Sequence, residues 1–133
     1  MTPSIPKNIL IVEDDPTLVD TIRRNLVVRG YAVESAATGQ AARAAVASRC
    51  PDLLLLDIDL PDESGWELLR GIRAGPCSDV PTIVISALRP NAHLARNLRC
   101  AAELEKPFPI ESLLRLVQSA LTNSALDTAP RTN

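Results

Sequence analysis

Four consecutive leucines, residues 53–56, run directly into Asp57, and this is one of four short apolar runs in a chain of 133 residues. The others lie at 9–12, 32–33 and 82–85. Runs that read as continuous Val, Ile and Leu, without polar alternation, describe strands buried on both faces. Such strands need helices above and below them, and helical spacing is what the intervening segments show. Leu18, Ile22 and Leu26 repeat at i+4 behind Pro16, which suits a first helical position, and Ile110, Leu113, Leu114, Val117 and Leu121 form a second apolar stripe. Ser64 and Glu67 have the spacing of a capping box, which starts a helix carrying Trp66, Leu68, Leu69 and Ile72. Segments 39–48 and 91–98 are weaker helices, and 102–105 is a fifth strand with little β-propensity. The pattern predicts five βα units around a parallel sheet.

A chain of this length fits one domain with one core. A formal net charge of -2 gives no sign of direct nucleic-acid binding, and no apolar run approaches a membrane span, so a cytoplasmic protein without membrane contact is expected. Cys50, Cys77 and Cys100 are odd in number, widely spaced and without a Cys-x-x-Cys pair, so reduced packing residues are expected in place of disulfides or a zinc site. Residues 122–133 read as a polar tail or linker stump that carries no fold.

In open parallel sheets ligands bind beyond the carboxyl ends of the strands. The first strand ends on Glu13, Asp14 and Asp15, the third on Asp57, the fourth on Ser86 and the fifth on Lys106. Carboxylates gathered in one crevice repel each other unless a cation sits among them. Oxygen ligands with no His or Cys cluster suit Mg²⁺. Lys106 and Ser86 then offer a positive charge and a hydrogen bond to an anion beside the metal, and a phosphoryl group fits that description. The leucine strand would hold Asp57 rigidly as the nucleophile.

Four stretches, ILIVEDDP, LLLLDIDLPDESGWELL, TIVISA and EKPF, resemble the receiver domain of bacterial two-component response regulators, in particular the stand-alone, chemotaxis-regulator-like kind. The resemblance implies a receiver domain over 7–121 with a flavodoxin-like (βα)5 fold in strand order 2-1-3-4-5. Asp57 would accept a phosphoryl group from a histidine kinase or phosphotransfer protein. Asp15, Asp57 and the backbone carbonyl of Asp59 would ligate Mg²⁺, with Asp14 acting through water. Ser86 and Lys106 would contact the phosphoryl group, and the bond before Pro107 would be cis. The chain would be a signalling phosphoacceptor with self-catalysed phosphorylation and dephosphorylation, passing its state to an unknown downstream protein. The family's aromatic switch residue falls on Glu103, its small Gly-Ala pair on Arg99 and Cys100, and the span from Ser86 to Lys106 is about two residues short. Asp59 is a carboxylate where many relatives have a neutral side chain.

Plainer readings exist. An aspartate pair before a helix can serve only as an N-cap. His93, among Arg89, Arg96 and Arg99, reads as part of a solvated face, and Trp66 as packing. The segment DIDLP also resembles haloacid-dehalogenase-type phosphatases, but their acidic metal pair follows the lysine, whereas only Glu111 and Asp127 follow Lys106 here. A receiver module of a larger regulator or hybrid kinase and a degenerate receiver that acts only as a binding surface are the other readings.

Overall fold

In the computed structural model, which describes residues 5–87 and 91–127 with side chains to 123, strands and helices alternate from end to end. The order is β1 (Asn8–Val12), α1 (Pro16–Val27), β2 (Ala32–Ala36), α2 (Gly39–Ser48), β3 (Leu53–Asp57), α3 (Gly65–Arg73), β4 (Thr82–Ser86), α4 (Ala92–Asn97), β5 (Ala102–Glu105) and α5 (Ile110–Asp127). All neighbours pair in parallel, in the order β2-β1-β3-β4-β5. This is the expected flavodoxin-like arrangement. Strand order reverses at β1, so the crevice lies outside the carboxyl ends of β1 and β3.

Side-chain alternation along the strands divides the core into two layers. Leu10, Val12, Leu54, Leu56 and Val84 pack with Ala42 of α2 and Leu68, Leu69 and Ile72 of α3. Ile9, Ile11, Leu53, Leu55, Ile83 and Ile85 pack with Val19, Ile22 and Leu26 of α1 and Leu113 and Val117 of α5. All four leucines of β3 are fully buried, two on each face. Truncating any of them to alanine removes roughly 2–5 kcal/mol through lost transfer energy and cavity formation.

The loop that follows β3 is pinned to the adjacent helix. Asp62 accepts hydrogen bonds from the backbone N–H groups of Gly39 and Gln40 at the start of α2, and these hold its carboxyl below the usual range. Glu63 accepts two from the Arg43 guanidinium. Ser64 caps α3 by accepting from Trp66 N, while Glu67 pairs with Arg70, so the reciprocal half of the capping box is not made. At Gly65 a Cβ would lie 2.6 Å from Asp57 O and 2.7 Å from the Ile58 Cα. Only glycine lets α3 begin this close to the strand that carries Asp57.

Around the far ends of β4 and β5, half-buried Arg73 donates to the carbonyls of Leu98, Ser78 and Val80 and to Thr82 Oγ1. Arg99 takes a left-handed backbone (φ 59°), a conformation that glycine adopts without strain and that costs a residue with a side chain. α5 runs on to Asp127, into the segment expected to carry no fold. Residues 122–127 contain neither Gly nor Pro to stop the helix, and 128–133 lie outside the described residues.

The cysteine expectation is corrected. Cys50 and Cys77 form a disulfide with Cα atoms 5.7 Å apart, and only Cys100 is free. Cys50 follows α2 and Cys77 follows α3, and the two helices lie side by side on one face, which brings together residues separated by 27 positions. Burial pushes the Cys100 thiol up to about 11, so it is a packing residue of low reactivity.

Candidate functional site

The register pairs Val12 with Leu56, so Glu13 and Asp57 are the next residues out on adjacent strands. Glu13 continues the face of Ile9 and Ile11, and Asp57 that of Leu53 and Leu55, so both carboxylates point to the same side. Both are almost fully buried, with 3% and 2% of their surface exposed. Lys106 reaches them from the far side of the crevice. Its chain enters after β5, its N–H donates to Ser86 O, and the bond to Pro107 is cis, as the resemblance implied. Lys106 Nζ lies 2.7 Å from Glu13 Oε1 and 3.3 Å from Asp57 Oδ2.

Burial pushes the Glu13 carboxyl up to about 7, against the lowering effect of Lys106 and of the Asp15 N–H, with Asp57 adding repulsion. Burial pulls the Lys106 ammonium down, but Glu13 and Asp57 outweigh it and hold it above its ordinary value. The crevice therefore carries more negative charge than its lysine offsets. Glu13, Asp14 and Asp57 can each offer a carboxylate oxygen, and these atoms lie within 4.8 Å of one another. Three hard oxygen donors with exposed Asp14 open to solvent suit a hydrated Mg²⁺ better than a softer ion.

Asp15, expected to ligate the metal, lies outside this cluster of carboxylates. Asp15 is the N-cap of α1: its Oδ1 accepts from Thr17 N at 3.0 Å and Leu18 N at 3.4 Å. Its own N–H donates to Glu13 Oε2. The acidic pair facing Asp57 is Glu13 with Asp14, one residue earlier than expected. Pro16 was the signal: proline at the first helical position makes residue 15 the cap, whose carboxylate is then engaged by the helix.

Asp57 Oδ1 accepts from Asp59 N at 2.9 Å, so the loop just after β3 turns its backbone toward the crevice. The Asp59 side chain is exposed and accepts from Ala87 N at 3.4 Å, linking the β3 loop to the residue after Ser86. Ser86 is half-buried at the end of β4. Glu103, where the resemblance places an aromatic residue, has Oε2 buried without a hydrogen-bond partner among the described residues. It pairs with Val84 in register and borders a small cavity of about 20 Å³ with Ile58, Trp66, Ser86, Asn91 and Leu104. Arg99 is committed to Asp79 and to Ser78 O. His93 is exposed on α4 beside Asn97, and Arg89 lies outside the described residues.

The family model described as the response regulator receiver domain matches residues 9–118. The transcriptional regulatory protein KdpE of Mycobacterium tuberculosis is 36% identical over 115 residues, covering 85% of this chain and 50% of that protein. The response regulator MprA of a Mycobacterium species is 33% identical over 128 residues, covering 95% and 55%. The chain thus spans about half the length of these curated relatives. Among solved structures, a CheY-like receiver domain protein from Methanospirillum hungatei superposes with a TM-score of 0.87 at 30% identity, covering 92% of this chain and 99% of that one. The non-phosphorylated HemR receiver domain from Leptospira biflexa gives 0.81 at 27% identity, covering 96% and 98%. With a family match over most of its length and a crevice of carboxylates closed by a lysine, this chain belongs to the response regulator receiver domain family, a signalling family of two-component systems.

Proposed function

We propose that the chain is a phosphoacceptor in which Asp57 takes a phosphoryl group from a phosphohistidine of a histidine kinase or phosphotransfer protein. The observation that carries this reading is the buried Asp57 carboxylate, set at the end of a rigid leucine strand between the Lys106 ammonium and the Glu13 and Asp14 carboxylates. An oxygen of Asp57 attacks phosphorus, the P–N bond breaks, and the imidazole leaves as the nitrogen recovers its electron pair. The reaction needs alignment and charge neutralisation more than covalent help. Alignment comes from β3 and from the Asp59 N–H on Oδ1. Lys106 supplies positive charge to the new acyl phosphate, and the Ser86 hydroxyl supplies a hydrogen bond. Asp14, Asp57 and the Asp59 carbonyl would hold Mg²⁺, with Glu13 reaching it through water. Bound there, the ion would neutralise the carboxylates and offset charge on the phosphoryl oxygens. With Asp14 open to solvent beside it, the acyl phosphate would be within reach of water, and self-catalysed loss of the phosphoryl group belongs to this reading.

Incubation with Mg²⁺ and a small acyl phosphate, followed by intact mass measurement, tests it. One phosphoryl adduct, absent in Asp57→Asn, is expected; an unmodified protein would overturn the reading. A haloacid-dehalogenase-like phosphatase would instead turn over generic phosphate esters.

We take the chain to act in the cytoplasm, where its phosphodonor would be found, and to signal through a protein surface without touching nucleic acid itself. Among the described residues no helix is long and apolar enough to cross a membrane. A stand-alone regulator is one form of this reading. The second, a receiver module within a larger regulator or hybrid kinase, is favoured by the roughly twofold length of the mycobacterial relatives. The mass of the protein isolated from its own cells separates the two.

A further inference from the structure

We propose that Cys50 and Cys77 form a reversible thiol–disulfide exchange site for a low-molecular-weight disulfide, separate from the phosphoryl crevice. Both residues follow the C-terminal ends of their helices. In a parallel βα fold those ends lie at the amino ends of the strands, so the pair sits on the side of the sheet away from Asp57.

The two cysteines are unequally exposed. Cys50 is exposed and Cys77 is 6% exposed. Exposed disulfides are the ones that exchange, and the accessible sulfur is the one an external thiolate attacks. Beside the bond a cleft of about 480 Å³ opens between α2 and α3, lined by Arg43, Val46, Arg49, Ile72 and Pro76 among others. Arg43 is committed to Glu63, whereas Arg49, next to Cys50 in the chain, is exposed and lines the same cleft.

The chemistry closes without another reactant. The Cys50 thiolate attacks one sulfur of an external disulfide, whose S–S bond breaks as one thiolate leaves. Buried Cys77 then attacks Cys50 Sγ in the mixed disulfide and expels the second thiolate. The cysteine pair loses two electrons and two protons, and the external disulfide becomes two thiols. Reduction runs the same steps backward, with Cys77 as leaving group.

Closing the bond changes how α2 is held. At its start α2 is tied to the β3 loop through Gly39 and Gln40 on Asp62. At its end the last turn closes with the Arg49 N–H on Ala45 O, immediately before Cys50. In the disulfide form both ends of α2 are fastened to the α3 side of the molecule. In the dithiol form the fastening of the end of α2 to α3 through sulfur is lost, while Asp62 and Glu63 still hold Gly39, Gln40 and Arg43.

The full chain carrying Cys100→Ser, so that the third thiol does not react, is equilibrated with oxidised or reduced glutathione, alkylated and weighed intact. Interconversion between the disulfide and two alkylated thiols in millimolar glutathione is expected. A bond that survives millimolar reduced glutathione in the folded protein overturns the proposal. Adding Cys77→Ser should accumulate a glutathione mixed disulfide on Cys50, whereas adding Cys50→Ser should leave Cys77 at least tenfold less modified; equal labelling also overturns it. The unsubstituted chain gives a second reading: amide exchange over residues 45–50 should be at least tenfold faster after reduction, and unchanged exchange would exclude the staple.

Discussion

The Lys106 ammonium lies closer to Glu13, at 2.7 Å, than to Asp57, at 3.3 Å, so the lysine of this crevice leans toward a carboxylate that is not the proposed nucleophile. Burial nonetheless dominates at Glu13 and raises its carboxyl to about 7. A raised carboxyl favours the folded state while protonated. Its contribution is full below the unfolded value of about 4.5 and is lost as pH rises through about 7. Without metal, the parent should therefore lose melting temperature relative to Glu13→Gln between about pH 4.5 and 7. Mg²⁺ competes with that proton, so its stabilising effect should grow over the same window. A Glu13→Gln protein whose pH profile and Mg²⁺ response both match the parent would show that Glu13 does not face the ion.

Asp15 separates the two uses of the acidic stretch. Because it caps α1 and lies outside the carboxylate cluster, Asp15→Asn should keep the Mg²⁺-induced rise in melting temperature, since asparagine caps about as well as aspartate. Asp15→Ala should cost about 1 kcal/mol of stability, with the Mg²⁺ response again preserved. Asp14→Asn should abolish most of that response. Thermal melts of the three variants with and without millimolar Mg²⁺ decide the assignment, and a blunted response in Asp15→Asn would restore Asp15 to the metal.

The fold was legible from the leucine strand and its neighbours because burial on both faces leaves no other reading for such short apolar runs. The same runs gave Asp57, Ser86 and Lys106 as the residues at strand ends. The choice between Glu13 and Asp15 depended on pleat parity and on Pro16, and the family motif, read as a block of acidic residues, obscured both. The contacts of Asp62, Glu63 and Arg73 join elements about 20 residues apart or use backbone carbonyls, and neither leaves a mark on spacing. The disulfide was hidden for the same reason, since only the packing of α2 beside α3 brings its cysteines together.

Asp59 reaches over the crevice to Ala87 N at 3.4 Å, and this N–H stands next to the hydroxyl residue that would contact a phosphoryl group. The carboxylate thus holds a donor that an incoming phosphoryl oxygen could use, and it also repels that oxygen by about 1 kcal/mol at a solvated site. Asp59→Asn should speed phosphorylation by a small acyl phosphate roughly fivefold. Asp59→Ala should do at least as much. Stopped-flow quenching of Trp66 fluorescence, or intact mass against time, gives the rates, and a slower Asp59→Asn would mean that the carboxylate assists the metal.

Glu103 stands where the resembled family places an aromatic ring, and it has already turned inward. Its Oε2 is buried without a hydrogen-bond partner among the described residues, and the residue borders a cavity lined by Ile58, Trp66, Val84 and Leu104 together with Ser86 and Asn91. A buried carboxyl oxygen without a protein partner costs stability. Glu103→Leu, of similar size and free of that cost, should raise stability by about 1–2 kcal/mol, which is several degrees in melting temperature for a chain of this length. Glu103→Gln should give less, since it also leaves a polar atom unpaired. The inward position bears on output as well. With Oε2 already buried, position 103 gains little further burial when the crevice is phosphorylated, so activation should show its main changes in the loops after Asp57 and Ser86. Amide exchange with and without a beryllofluoride phosphoryl mimic measures this. Little new protection across β5 is expected, and strong protection centred on Glu103 would show that β5 still moves as it does in relatives with the ring.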